Sequence, residues 1–236
     1  MSIAENVAAI RSQMAQAAAA AGRDPAEILL CAATKMNDAD AVRQAIAAGV
    51  DCCGENRVQE LTAKAAQGAY QGAPVHFIGR LQTNKVRQVV GRVSLIQSVD
   101  RLRLLQAIQA EAARQGIVQD ILLEVNIGRE ESKGGFFAEA VPDLVQQMGN
   151  YPNIRLRGLM AIPPICRDSA ENCKFFQKMY NLSVDITGKK SDNVAMDFLS
   201  MGMSGDFADA IRCGSNMVRV GTGIFGPRDY AKCHQQ

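Results

Sequence analysis

Ile28-Leu29-Leu30-Cys31-Ala32-Ala33-Thr34-Lys35 is a short apolar run that ends in a lysine. Its length and lack of interruption read as a buried strand. Far down the chain, Met217-Val218-Arg219-Val220-Gly221-Thr222-Gly223 is a second strand-like run, and it ends in a Gly/Thr turn. Between these two, apolar runs at 50–53, 75–79, 95–98, 121–127, 156–161 and 198–201 alternate with helical patterns. The helical stretches are 39–48, 57–67, 83–90, 101–114, 138–148, 170–184 and 206–213, and one more at 3–21 precedes the first strand.

Eight strands separated by seven helices read as a parallel (β/α)8 barrel of the TIM type, with an extra N-terminal helix. A doubly wound open sheet competes, but it usually has fewer strands. The chain of 236 residues fits one such barrel and is long enough to bury a large core. No linker, internal repeat or low-complexity segment divides it, so residues 1–236 are expected to form a single domain. Ile162-Pro163-Pro164 reads as a turn after the sixth strand, and Gly188-Lys189-Lys190-Ser191 as part of a polar loop before the seventh.

The formal net charge is +2 with acids and bases interleaved, and there is no tryptophan. Neither a nucleic-acid partner nor a membrane surface is indicated. The alanine-rich stretch 15–21 is too short to span a bilayer, and no secretion signal is apparent, which makes the cytoplasm the expected compartment. Seven cysteines at 31, 52, 53, 166, 173, 213 and 233 form no C-x-x-C pair. Cys166, Cys173, Cys233 and His234 match no zinc spacing, so the thiols read as buried or surface groups in a reducing compartment and no metal is expected.

Active sites of such barrels lie at the C-terminal ends of the strands, often with phosphate bound after strands seven and eight. Lys35 follows strand one, Ser204 follows strand seven, and Gly221 and Thr222 follow strand eight. Strand eight neighbours strand one in a closed barrel, so these residues should converge. An amine facing a phosphate site is what pyridoxal 5′-phosphate requires: a nucleophile for its aldehyde and backbone N–H groups for its phosphate.

Each residue also has a plainer reading. Lys35 taken alone reads as a solvated strand-end lysine, and Ser204 as the N-cap of a helix at 206–213. Gly221-Thr222-Gly223-Ile224-Phe225-Gly226 fits G-x-G-x-x-G, but only ten residues follow, too few for a dinucleotide-binding unit. Arg219 and Gly221 share one face by strand alternation. A buried arginine needs a partner. Candidates are a cofactor ring nitrogen or the carboxylates Glu55 and Glu124. Glu55 and Asn56 either contact a ligand or begin the next helix. His76 reads as a core histidine, and Arg80, Lys85 and Arg87 as a solvated basic cluster.

Several longer motifs occur together: Ala33-Thr34-Lys35, Gly54-Glu55-Asn56-Arg57-Val58-Gln59-Glu60, and His76-Phe77-Ile78-Gly79-Arg80-Leu81-Gln82-Thr83-Asn84-Lys85. Leu156-Arg157-Gly158-Leu159-Met160-Ala161 and Leu199-Ser200-Met201-Gly202-Met203-Ser204 follow, ahead of the 217–226 run. With them the chain resembles, over nearly its whole length, the pyridoxal phosphate homeostasis proteins, the YggS/PROSC-type family. The resemblance implies a barrel similar to the N-terminal domain of bacterial alanine racemase. It implies pyridoxal 5′-phosphate held as a Schiff base on Lys35, with phosphate contacts from Ser204, Gly221 and Thr222. It also implies Arg219 at the ring nitrogen and Asn56 beside the cofactor.

The implied role is that of a carrier or buffer of intracellular pyridoxal phosphate, with no firm catalytic activity. Pyridoxal-phosphate-dependent apo-enzymes are candidate recipients, and a monomer or weak dimer is expected. The alternative is a racemase-like enzyme. Racemisation needs a second acid/base, which racemases take from a tyrosine supplied through an additional C-terminal domain. The chain reads as having no room for that domain, and only Tyr230 among its tyrosines (70, 151, 180 and 230) lies near a strand end. The chain departs from the family at Met36-Asn37, where a Thr-Lys or Thr-Tyr step and a proline are usual. It departs again at Cys53 and Arg57, where aromatics are common. These departures bear on affinity and loop shape.

Overall fold

The structure is a computed structural model, and it describes residues 1–227 apart from 165, 167 and 188–191. The polar loop expected at 188–191, Tyr230, Cys233 and His234 therefore lie outside the described residues. Eight strands pair in chain order, all parallel, and the last closes on the first. They are β1 (Leu29–Ala33), β2 (Cys52–Glu55), β3 (Val75–Phe77), β4 (Leu95–Val99), β5 (Gln119–Val125), β6 (Ile154–Ala161), β7 (Val194–Ser200) and β8 (Met217–Val220). At the closing seam Leu29 pairs with Met217 and Cys31 with Arg219. The expected barrel is the observed one.

Around it lie α1 (Ile3–Ala20), α2 (Ala39–Ala47), α3 (Val58–Ala66), α4 (Leu102–Gln115), α5 (Val141–Gln146), α6 (Ser169–Thr187), α7 (Phe207–Arg212) and α8 (Thr222–Phe225). The extra helix α1 begins at a capping box, in which Ser2 Oγ accepts from Glu5 N and Ser2 N donates to Glu5 Oε2. Its buried face, Val7, Ile10, Met14 and Ala17, follows helical spacing and packs with Phe207, Ile211 and Ile224. Each large side chain buried there contributes about 1.5–3 kcal/mol. No helix among the described residues is long and apolar enough to cross a membrane.

Strand alternation divides the core. Leu30 and Ala32 point outward to the cluster under α1, whereas Cys31 and Ala33 share the inner cluster with Leu122, Met160 and Met217. Polar groups also fill this interior: His76, Gln97, Ser200 and Arg219 are all buried. Between β6 and β7 the register shifts at Gly158, whose φ is 145°. A Cβ there would lie 1.8 Å from the Phe198 carbonyl oxygen, so only glycine fits.

Several expected boundaries move. β2 runs through Glu55 rather than ending at 53, because Gly54 and Glu55 pair with His76 and Phe77. The expected helix at 83–90 is a 3-10 turn, Thr83–Gln88. Val86 and Val89 are buried three residues apart, which suits the three-residue period. The helix expected from 138 begins as α5 at Val141, with a proline in its first turn, where a missing N–H costs nothing. β7 starts at Val194, earlier than expected, because exposed Asp197 interrupts its apolar run. The short turn expected after β8 is the one-turn helix α8.

Candidate functional site

A cleft of about 1350 Å³ opens at the C-terminal ends of the strands. Lys35, Asn56, Ser204, Arg219, Gly221 and Thr222 all line it. The barrel closure that joins β8 to β1 is what brings together residues so distant in sequence. A Cβ on Gly221 would lie 3.4 Å from the Ala33 side chain, two residues before Lys35.

Lys35 follows β1 and is half-buried. The backbone around it is held from several sides. Thr34 N donates to the Gly54 carbonyl at 2.9 Å, and Met36 N donates to Glu60 Oε2 at 2.7 Å. The Asn37 amide donates to the Lys35 carbonyl at 3.0 Å. Met36 itself is left-handed, with φ 62°, a conformation that costs a non-glycine residue about 1 kcal/mol or more. Asn37, one of the family departures, thus closes the turn on Lys35.

Beneath this turn lies a buried network that the sequence did not reveal. Lys64 on α3 donates to the Thr34 carbonyl at 2.7 Å and to Glu55 Oε1 at 2.8 Å. The same oxygen accepts from the Thr34 hydroxyl at 2.6 Å and from the Tyr70 hydroxyl at 3.1 Å. Burial and the Glu55 carboxylate keep the Tyr70 phenol protonated, well above its ordinary range. Glu55 is fully buried here and does not line the cleft. It partners Lys64, not Arg219.

Asn56 follows β2 on the wall of the cleft, and its Oδ1 is buried without a hydrogen-bond partner in the structure. It does not cap the next helix, whose N-cap position is Arg57. Gly79 lies against it: a Cβ on Gly79 would fall 2.2 Å from the Asn56 carbonyl oxygen. The glycine is thus the space Asn56 occupies.

Ser204 is not the N-cap of α7; Asp206 holds that position, and its carboxylate accepts from Met203 N at 2.6 Å. That leaves Ser204 Oγ to accept from Gly221 N and Gly223 N, each at 3.3 Å. The loop after β7 and the turn after β8 are therefore joined at the point where sequence reasoning placed a phosphate. Gly221 has ordinary room at its α-carbon, so its backbone can approach a ligand.

Arg219 is 4 % exposed and projects into the barrel. It donates to Ser200 Oγ at 2.6 Å and to the Ala161 carbonyl at 2.9 Å. Burial lowers its pKa, while Cys31, Glu124 and Asp206 oppose that shift. Of the basic cluster, Arg80 and Lys85 line the cleft, whereas Arg87 sits outside it, 3.7 Å from Glu111. His76 is buried as expected, with Nδ1 at 2.9 Å from Gln97 Nε2.

The donor set suits a phosphorylated aldehyde: a half-buried amine, a hydroxyl with two backbone N–H groups, and an interior guanidinium. The unpaired Asn56 oxygen leaves one buried polar group for a ligand to satisfy.

The alanine racemase N-terminal domain family matches residues 5–229. The Pyridoxal phosphate homeostasis protein of Pseudomonas aeruginosa is 41% identical over 228 residues, covering 97% of this chain and 96% of that protein. A crystal structure of an unknown protein from Bifidobacterium adolescentis superposes with a TM-score of 0.90 at 37% identity, covering 94% of each chain. PipY of Synechococcus elongatus, solved with PLP bound, gives a TM-score of 0.82 at 31% identity, covering 95% of this chain and 100% of that one. The chain belongs to the pyridoxal phosphate homeostasis protein family, built on the alanine racemase N-terminal domain fold.

Proposed function

We propose that residues 1–236 form one unit that binds pyridoxal 5′-phosphate and holds it as a Schiff base on Lys35. The observation that carries this reading is the convergence of Lys35, Asn56, Ser204, Arg219, Gly221 and Thr222 on one cleft. When bound, the cofactor would supply an aldehyde to a lysine amine and a phosphate to backbone donors. Ser204, Gly221 and Thr222 would anchor the phosphate, Asn56 would lie beside the ring, and Arg219 would face the ring nitrogen.

The role we infer is that of a cytoplasmic carrier or buffer in pyridoxal phosphate homeostasis, as a monomer or weak dimer, with pyridoxal-phosphate-dependent apo-enzymes as recipients. A guanidinium at the ring nitrogen disfavours a proton there and so weakens electron withdrawal. Holding is favoured over turnover. Tyr70, Tyr151 and Tyr180 do not line the cleft, so none of these tyrosines offers a second acid/base opposite Lys35. Interconversion of L- and D-alanine by the purified protein should be negligible, and steady turnover would instead establish a racemase.

The test is the visible absorption spectrum of the purified protein with added pyridoxal 5′-phosphate, beside Lys35→Ala. A violet-region band in the wild type that the variant lacks supports the covalent site. No band in either would refute it.

A further inference from the structure

Two thiols and an imidazole meet inside the barrel, and the proposed cofactor chemistry uses none of them. Cys31 on β1, Cys52 on β2 and His76 on β3 lie on three successive strands. Cys31 and Cys52 are directly paired in register, and Gly54, next on that face of β2, pairs with His76. The two Sγ atoms and a ring nitrogen of His76 all lie within 4.8 Å of one another. Cys52 Sγ is 3.4 Å from His76 Nδ1. Cys31 is 0 %, Cys52 2 % and His76 7 % exposed.

We propose that Cys31, Cys52 and His76 form a buried S2N site for one thiophilic d10 cation, zinc(II) or copper(I).

The distances fit this chemistry. A zinc ion about 2.3 Å from sulfur and 2.0–2.1 Å from nitrogen sets ligand atoms roughly 3.6 Å apart at tetrahedral angles. The Cys52–His76 separation of 3.4 Å is already close to that. The remaining pairs, within 4.8 Å, need to draw in by little more than an ångström at most. Thiolate and thioether sulfur select soft ions. A thioether is at hand: Gln97 Nε2 lies 3.1 Å from Met217 Sδ and 2.9 Å from His76 Nδ1. An amide nitrogen can only donate, so Nδ1 is unprotonated and accepts from Gln97; binding an ion there exchanges that amide hydrogen for the metal. Gln97 is itself held by the Ser200 hydroxyl, which donates to its amide oxygen at 2.7 Å.

The cluster adjoins the cofactor cleft. Ala33 and Ile78 line the cleft and belong to the same inner cluster as Cys31 and Cys52. Gly54 leaves the room that the Cys31 sulfur and the Ile78 side chain fill, since a Cβ there would sit 2.9 Å from Sγ and 2.7 Å from Ile78 Cδ1. The ion and the proposed cofactor therefore occupy different depths of one barrel, and the ion site stands whether or not the cofactor reading does.

The test is anaerobic titration of the reduced full-length protein with zinc(II) in one arm and copper(I) in the other, each against a competing chelator. One equivalent should be held in at least one arm, and the stronger arm identifies the ion. Cys31→Ser and Cys52→Ser should each weaken it by at least about 100-fold. The combined Cys166→Ser, Cys173→Ser and Cys213→Ser variant should bind as the wild type does. X-ray absorption of the loaded wild type should show two sulfurs near ~2.3 Å and a nitrogen near ~2.0 Å, and this needs no variant to fold. Failure to hold either ion overturns the proposal. So does a ligand shell without two sulfurs, binding indifferent to Cys31 and Cys52, or a Cys31–Cys52 disulfide whose reduced form still refuses both ions.

Discussion

The Ser204 hydroxyl lies 3.3 Å from the Gly221 backbone nitrogen and accepts its hydrogen. With the matching contact to Gly223, it fixes the turn after β8 from the loop after β7. In Ser204→Ala both amides lose this acceptor, and a bound phosphate loses a hydroxyl. Two hydrogen bonds of this length are worth about 1–2 kcal/mol together. Cofactor affinity should fall roughly 10-fold, since 1.4 kcal/mol is a tenfold change. The Lys35-dependent absorption band should persist at saturation. A titration following that band checks both. Unchanged affinity would remove Ser204 from the phosphate site.

Lys64 carries a second prediction. Its ammonium and the Glu55 carboxylate form an ion pair whose side chains are 7% and 0% exposed. Lys64→Met would strand a buried carboxylate and free the Thr34 carbonyl that precedes Lys35. Breaking one side of such a pair costs about 3–5 kcal/mol. Adding Glu55→Gln to Lys64→Met should recover most of that loss, because no buried charge then remains. Urea unfolding of the two single variants and the double variant measures the coupling. Additive losses would show the pair to be inconsequential.

The contrast between these residues explains what the sequence could disclose. Lys35, Ser204 and Gly221 are legible because strand ends in a barrel converge and a chain order of strands predicts which ends meet. Arg219 is legible because alternation sends it inward. Lys64 is not: it reads as one more charge on a helix, and only the packing of α3 on β2 turns it inward. The cluster of Cys31, Cys52 and His76 is equally silent, since metal spacings in sequence describe local loops. Here each ligand sits on a different strand, and the barrel register alone assembles them. The Ser204 N-cap reading failed because Asp206, two residues on, takes that position.

Gly79 positions Asn56 without touching a ligand. The close approach of its α-carbon to the Asn56 backbone leaves no space for a methyl group. Gly79→Ala should push Asn56 out of place and cost about 1–3 kcal/mol in overpacking. The loss should also appear as weaker cofactor binding, more than in Asn56→Ala, which removes only the side chain. Thermal unfolding and cofactor titration of both variants test this. A Gly79→Ala protein as stable and as tight-binding as wild type would refute the supporting role.

Glu124 gives a pH dependence with a definite sign. Burial, followed by the nearby Asp100 charge, raises its pKa above the ordinary carboxylate value of 4.5, and Arg219 and Arg80 only partly offset this. Between the unfolded and folded pKa values the folded state therefore binds more protons than the unfolded one. Stability falls as pH rises through that window, and the full penalty is present above it. Glu124→Gln removes the penalty, so the variant should be more stable than wild type at pH 7. The advantage should shrink as pH is lowered through the folded pKa and vanish below the unfolded one, where wild-type Glu124 is protonated in both states. Urea unfolding of both proteins from pH 4 to 8 would show it. A variant that is less stable at neutral pH, or whose difference from wild type ignores pH, would mean that attraction to Arg219 outweighs desolvation at this site.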